Sequence, residues 1–374
     1  MKTIRTIKLK FNGTHKADQI LPNWLNACNW LSKIVFDSKE INSNRLSQAH
    51  YKTVREKFNL PSQLACTLFR TVSATYKTQK TMKEWNLSIY KKHSVPVVWK
   101  RDFARNKKGV TLWADLITFD DPRTIPDNWK DSKIFLKKGQ WFLNLSYEID
   151  IPEPLKKGVI VGVDQGIKRL FVATDSNGNK LFNKANHLNH KLSNIRKTRA
   201  KVQAVGTRSS RQLIKRMSDH EASVTEHAVH VASKRLVQWA VSVRARKIVL
   251  EDLSNIREAS LNKGKQLRSK VNRWPYALFT FFVTYKAATV GITVEQISPK
   301  NTSRMCHKCG HIDKSNRKGF TFKCTSCGYT ADADWNASKN IAGRYMSIGL
   351  NSIDTGIRKH PKKLIKEKLS HNYV

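Results

Sequence analysis

Acidic residues are what this sequence has least of. Its 374 residues hold 28 Asp or Glu against 69 Lys or Arg, a formal net charge of +41. An imbalance of that size exceeds what solubility requires, and it predicts a large polyanionic partner, nucleic acid by default. Mutual repulsion would weaken the free protein, so full stability is expected only in the bound state. Long apolar runs are missing too. None approaches the roughly 20 residues of a membrane span, and the opening "MKTIRTIKLKFNG" has no leader-like apolar region. Cysteine is sparse: six in all, four of them within residues 306–327. That distribution excludes a secreted disulfide framework and points to metal binding in a reducing cell. The expected location is the cytoplasm, in association with nucleic acid. No internal repeat is visible.

What is present divides by periodicity. Residues 2–11 alternate as a strand, with Ile7, Leu9 and Phe11 on one side. Residues 19–36 carry Ile20, Trp24, Cys28, Leu31 and Val35 at helical spacing, and 60–82 opens with a Pro-Ser start signal and continues as a basic amphipathic helix. Cys28 and Cys66 lie on these apolar faces and read as core. From about 95 the period becomes two: "VPVVW" is a short strand, and 132–150 reads as a hairpin turning at Lys137–Gln140. A strand, a helical block and further strands suggest a small β-barrel with a helical insertion. The segment 151–158, "IPEPLKKG", reads as a linker.

A different architecture begins at 158. "GVIVGVDQGIKRLFVATDSNGNKLF" gives three strands joined by turns. Between Asp175 and Asp219 there is no acid, while 11 Lys or Arg occur, as on a helix that faces nucleic acid. A separate amphipathic helix is expected at 227–243, a buried strand at 245–256 ending in two acids, and a basic loop at 260–274. A helix at 276–291, a strand at 292–298 and a helix from about 333 to 346 complete the pattern.

Two constellations carry chemistry. "CHKC" (306–309) and "CTSC" (324–327) are separated by 14 residues, and a glycine follows each pair. Cys306, Cys309, Cys324 and Cys327 suit a tetrahedral structural Zn²⁺, with glycine favoured at the tight turn closing each knuckle. Four thiolates fill the shell, leaving no part for His307 or His311 and no open position for catalysis. The second constellation is three dispersed carboxylates. Asp164 ends the strand "VIVGVD", Glu251 ends "KIVLE", and Asp334 opens a helix. Acids at strand and helix ends converge at one edge of an α/β sheet, and such a cluster needs a hard cation, Mg²⁺ or Mn²⁺. Two such ions can activate water against a phosphodiester. Taken singly, each acid is as well explained as a turn or cap residue, Asp252 included. In "TADADWNAS" (330–338), Asp332 is expected to cap the helix and Asp334 to be the ligand, because residues two apart on a helix point to different sides.

"VGVDQGIKRLFVATDSNG", "IVLEDLSNI", "SPKNTSRMCHKCGH" and "FTFKCTSCGYTADADWNASKNIAG" together resemble the TnpB/OrfB family of insertion-sequence proteins and the related type V CRISPR effectors. The resemblance is dense over 158–343 and mostly architectural over 1–157. It implies an α/β plus β-barrel fold: a wedge-like barrel over 1–157 with a helical recognition insertion at about 14–93, then an RNase H-like (RuvC) nuclease domain split into 158–303 and 329–350. A zinc ribbon at 304–328 would interrupt it, and a basic tail would occupy 351–374. It further implies an RNA-guided DNA endonuclease in which Asp164, Glu251 and Asp334 are catalytic. The partners would be a guide RNA and double-stranded target DNA bearing a short adjacent motif, with one protomer per RNA. The 260–274 loop takes the place of the family's lid. Ser338 departs from the commoner Ala, with little consequence expected. The alternatives are a compact CRISPR effector, an RNA-guided repressor that does not cut, and a transposase.

Overall fold

The computed structural model describes residues 2–91, 94–106, 109–119, 127–258 and 274–348, together with 261–262, 264, 268–269 and 271–272. The chain divides into two compact units, Lys2–Asp150 and the residues from Ile151 onward. The expected linker belongs with the second unit, where the Leu155 N–H donates to the Gly291 carbonyl at 2.9 Å.

The first unit begins with β1 (Lys2–Phe11), followed by α1 (His15–Ser38), α2 (Ser43–Phe58) and α3 (Ser62–Thr81). Strands β2 (Ser94–Val97), β3 (Phe103–Asn106), β4 (Gly109–Leu112), β5 (Asp115–Ile117), β6 (Trp129–Lys137) and β7 (Gln140–Asp150) complete it. Helix α1 starts earlier than its apolar period suggests, because the Thr14 hydroxyl accepts the Ala17 N–H at 3.1 Å and caps it there. The strands form one antiparallel sheet in the order β1-β7-β6-β2 and a second, β3-β4-β5. Inward residues Leu9, Phe11, Trp141, Leu143 and Leu145 pack with Trp24, Cys28, Leu68 and Tyr76 of the helices in one apolar core. Cys28 is buried as expected, whereas Cys66 is only half-buried. A buried polar tie locks the helices, with Ser32 Oγ and Tyr76 Oη 2.8 Å apart and Ser32 donating to the Ser88 carbonyl.

The second unit is built on a five-stranded sheet. Its elements are β8 (Val159–Gln165), β9 (Arg169–Asp175), β10 (Lys180–Lys184), α4 (Asn186–Val205), α5 (Arg208–Ser242) and β11 (Ala245–Glu251). After these come α6 (Tyr276–Ala288), β12 (Thr293–Ile297), the short strands β13 (Arg317–Lys318), β14 (Thr321–Lys323) and β15 (Thr330–Asp332), and α7 (Ala333–Ile348). The sheet order is β10-β9-β8-β11-β12. β10, β9 and β8 are antiparallel, while β8, β11 and β12 run parallel.

Strand alternation sorts the two faces. Val161, Val163, Ile248 and Leu250 pack against Leu236 of α5 and Phe279 and Phe282 of α6. Ile160, Val249 and Ile297 point the other way, onto Ile341 of α7. One expectation changes. The basic stretch runs through β10 and α4, and its last part, 208–218, joins the helix read at 227–243 in a single 35-residue helix, α5. Gly206 ends α4 in the left-handed conformation, at φ 70°, and no glycine or proline interrupts 208–242 thereafter. The tail 351–374 and about half of the 260–274 loop lie outside the described residues.

Candidate active site and metal centre

β8 and β11 are parallel neighbours in register, with Val163 opposite Leu250. The next residues, Asp164 and Glu251, therefore end adjacent strands, whose backbones lie about 4.8 Å apart. Asp164 shares a face with Ile160 and Gly162, and Glu251 with Val249, so both carboxylates belong to the face that α7 covers.

Helix α7 approaches that face closely because Gly162 has no side chain. A Cβ there would lie 2.2 Å from the Ser338 carbonyl oxygen and 2.5 Å from the Ala342 nitrogen. The hydroxyls of Ser338 and Thr174 of β9 meet at 2.6 Å beside the contact and tie helix to sheet. From Gly162, two residues along the strand lead to Asp164; from Ser338, four residues back along the helix lead to Asp334. These steps are about 6.6 Å and about 6 Å, in the same direction.

The electrostatics follow from this convergence. Burial, reinforced by the charges of Glu251 and Asp334, pushes the Asp164 carboxyl well above its ordinary value. Burial also raises Glu251, against a hydrogen bond from the Thr302 hydroxyl. Asp334, 9% exposed, is compensated by two guanidinium groups: Arg317 Nη2 reaches Oδ1 at 2.7 Å and Arg169 Nη1 reaches Oδ2 at 3.1 Å. Asp332 has a separate task. Its Oδ1 accepts the backbone N–H groups of Asp334 and Trp335, both at 3.1 Å, and caps α7. Burial works against its charge, but Arg169 at 2.6 Å and the capped N–H groups hold its carboxyl below the usual range. The Asp252 carboxylate accepts the Ser254 N–H of its own turn at 3.0 Å.

The four cysteines form a second cluster, their sulfurs all within 4.8 Å of one another. Cys306 and Cys327 sulfurs are 3.7 Å apart and those of Cys309 and Cys324 3.5 Å. A tetrahedral ion with metal–sulfur bonds of about 2.3 Å has edges of about 3.8 Å, so the donor set fits. The two knuckles repeat one geometry. Gly310 and Gly328 donate to the carbonyls of Cys306 and Cys324, with φ of 77° and 70°. The Cys327 N–H lowers the Cys324 thiol to about 6, toward the thiolate a metal requires. The His307 N–H bonds Asn336, and the His311 ring meets Thr325 at 3.1 Å; neither imidazole belongs to the sulfur cluster.

Several participants escaped the sequence reading. Asn336 and Asn340, one turn apart on α7, both donate to the Met305 carbonyl, and Asn340 also donates to that of Thr302. Thr302 in turn donates to Glu251. These bonds link the cysteine segment, α7 and the second strand-end acid. Arg169, Arg317 and Thr302 carry no local signature. Only "SPKNTS" and the position of Arg317 between the cysteine pairs could have hinted at them.

Comparison with known proteins agrees with this architecture. The family model described as Probable transposase (OrfB_IS605) matches residues 144–257, and the one described as Cas12f1-like, TNB domain matches 276–341. The CRISPR-associated endodeoxyribonuclease Cas12f1 of Sulfoacidibacillus thermotolerans is 32% identical over 55% of this chain and 50% of its own length, so the match spans about half of that relative. TnpB-like protein MJ0751 of Methanocaldococcus jannaschii is 28% identical over 65% of this chain and 89% of its own. The putative RNA-guided DNA endonuclease InsQ of Escherichia coli is 28% identical over 61% and 60%. In fold, the chain is similar to Cas12f1 in a cryo-EM complex with sgRNA and target DNA, with a TM-score of 0.62 at 15% identity over 96% of this chain and 100% of that one. The RNA-guided endonuclease CRISPR-Cas_phi3 follows at 0.51 and 9% identity, over 92% of each. By its motifs, their order and these relatives, the chain is similar to the TnpB/OrfB proteins and to Cas12f1.

Proposed function

We propose that this chain is an RNA-guided DNA endonuclease that hydrolyses phosphodiester bonds at Asp164, Glu251 and Asp334. The observation that carries the reading is the register of β8 and β11, which sets two carboxylates side by side opposite the start of a helix bearing a third. The second unit is read as an RNase H-like (RuvC) domain interrupted by a zinc ribbon at 304–328. Three antiparallel strands continued by two parallel ones support that reading. The first unit is read as a wedge with an inserted helical recognition lobe. The guide RNA would select the target by base pairing, while the protein grips backbones and a short adjacent motif. The acid-free stretch 176–218 and the tail would bind RNA, with affinity that falls steeply with salt.

Three carboxylates suit a hard divalent cation, because burial leaves Asp164 and Glu251 reluctant to ionise alone, and at Asp164 the charges of Glu251 and Asp334 add to it. Mg²⁺ or Mn²⁺ held by Asp164, Glu251 and Asp334 would supply an activated water and charge stabilisation at the leaving oxygen. The remaining work belongs to the chain. Thr302 orients Glu251, the Asp332 cap fixes the first turn of α7, and Arg169 ties that cap to Asp334. The cysteine centre, with Zn²⁺ as its structural ion, holds the segment from which Arg317 reaches Asp334.

Purified protein with its co-purifying RNA, once sequenced, identifies the target to place on a plasmid. Wild type should cut it with Mg²⁺, and Asp164→Ala should bind but not cut. Equal inertness of both, with binding intact, would reduce the protein to a repressor. Joining of DNA ends without RNA would make it a transposase. A guide taken from a CRISPR array is the second reading, favoured by the 32% identity to Cas12f1.

A further inference from the structure

Beside the carboxylates lies a cluster that they do not use. Trp335 follows Asp334 in the first turn of α7, and two ammonium groups face its indole. Lys339 Nζ lies 3.8 Å from the ring centroid and Lys180 Nζ 4.7 Å. Lys339 is one turn along the same helix. Lys180 opens β10, opposite Thr174, whose hydroxyl bonds Ser338. Helix and edge strand thus bring the lysines together by a fixed framework and not by the reach of their side chains alone.

The arrangement is unfavourable as it stands. Cation–π attraction holds each ammonium at the ring, but among the described residues neither has a carboxylate within ion-pair distance. Burial, and then the charge of Lys180, lowers Lys339. Cations gathered at one place without an anion form a receptor for one. The acids that could have served, Asp332 and Asp334, are already engaged by Arg169 and Arg317.

We propose that Lys180 and Lys339, held on Trp335, form a phosphodiester-binding subsite that seats one backbone phosphate of the DNA strand entering the adjacent carboxylate site. Two ammonium groups around one ring suit the non-bridging oxygens of a single phosphate or of neighbouring phosphates, since each offers three donors. A phosphate contact of this kind positions a strand without reading its sequence. The assignment of DNA as the strand rests on the nuclease reading, whereas the subsite's affinity for a phosphodiester does not.

The test uses a small probe, so that the large net charge does not swamp the signal. The full chain is reductively methylated with ¹³C, which keeps the lysine charge, and the Nζ-methyl resonances of Lys180 and Lys339 are assigned with Lys180→Arg and Lys339→Arg. The dinucleotides dTpdT and UpU and inorganic phosphate are titrated separately, without divalent metal. Both resonances should move with dTpdT, saturably and with one midpoint. Lys339→Gln should weaken the midpoint read at Lys180 by about tenfold, the worth of one charge-assisted hydrogen bond, and Lys339→Arg should restore it. Lys52→Gln, on α2 of the other unit, should leave it unchanged. Linear shifts no larger than those of other lysines, or a Lys339→Gln midpoint equal to wild type, overturn the subsite. Tighter binding of UpU than of dTpdT overturns the assignment to DNA. Cleavage by Asp164→Ala as fast as wild type would overturn the nuclease reading and leave this measurement intact.

Discussion

Replacing Gly162 with alanine would drive a methyl group into the backbone of α7. The new Cβ would lie 2.2 Å from the Ser338 carbonyl oxygen and 2.5 Å from the Ala342 nitrogen. Neither atom can rotate aside as a side chain could. Restoring ordinary contact of about 3.5 Å requires the helix to retreat by roughly 1 Å or more. Overpacking of this kind costs about 1–3 kcal/mol, which in a unit of this size lowers Tm by about 2–4 °C per kcal/mol. The functional loss should exceed the stability loss. Asp334 is one turn from Ser338 on the same helix and retreats with it, and a misplacement of about 1 Å can cost about 100-fold in rate. The assay is a calorimetric melt, Mn²⁺ binding by electron paramagnetic resonance, and plasmid cleavage, each against Gly343→Ala. Gly343 lies on the same helix with open space around its Cβ position, and alanine there should stabilise by about 0.5–1 kcal/mol. If Gly162→Ala melts with wild type and binds Mn²⁺ equally well, the convergence of strand and helix described above is wrong.

The two aspartates at the start of α7 should separate cleanly. Asp334→Ala abolishes cutting and spares target binding, while Asp332→Asn keeps a capping oxygen and costs little; equal losses from both, in single-turnover cleavage, would merge their roles. The Asp164 carboxyl is raised in the fold, so the stability it offers is present at low pH and is lost as pH rises through its folded value. Metal-free Asp164→Asn should therefore be more stable than wild type at about pH 8, with the difference shrinking toward about pH 5. A constant difference in urea midpoints across that range contradicts the raised carboxyl. Stripping the cysteine centre with a chelator should lower Tm and then weaken Mn²⁺ binding, because the Thr302–Glu251 and Asn340–Thr302 bonds depend on that segment. Unchanged Mn²⁺ affinity in the zinc-stripped chain would show the two centres to be independent.

Local pattern carried much of this molecule. Leu143 and Leu145 alternate with half-buried partners, and β7 falls where that alternation runs. The cysteine spacing and its two glycines appear as paired knuckles because their geometry is set within a few residues. The ends of "VIVGVD" and "KIVLE" were legible as strand ends, but their adjacency came from a parallel register that no local pattern encodes. Arg169, Arg317 and Thr302 act across long sequence separations, so nothing near them in the chain announces their partners. The full length of α5 is hidden for a simpler reason: its apolar period is clear only toward its C-terminal end, although no residue in 208–242 breaks a helix.

The joint between the second knuckle and α7 has a consequence for how such chains can vary in length. The Tyr329 carbonyl holds the knuckle, Thr330–Asp332 pair with β14, and the Ala333 N–H is bonded to the Phe320 carbonyl. One residue inserted there would turn the helix start by about 100° and carry Asp334 away from Asp164. His311 and Asn316 are likewise tied to the cysteine segment, but the turn Asp313–Ser315 between them bonds within itself and has no helix phase to keep. Insertions and deletions among functional relatives should therefore collect between the two cysteine pairs, while the interval from Cys327 to Asp334 keeps one length.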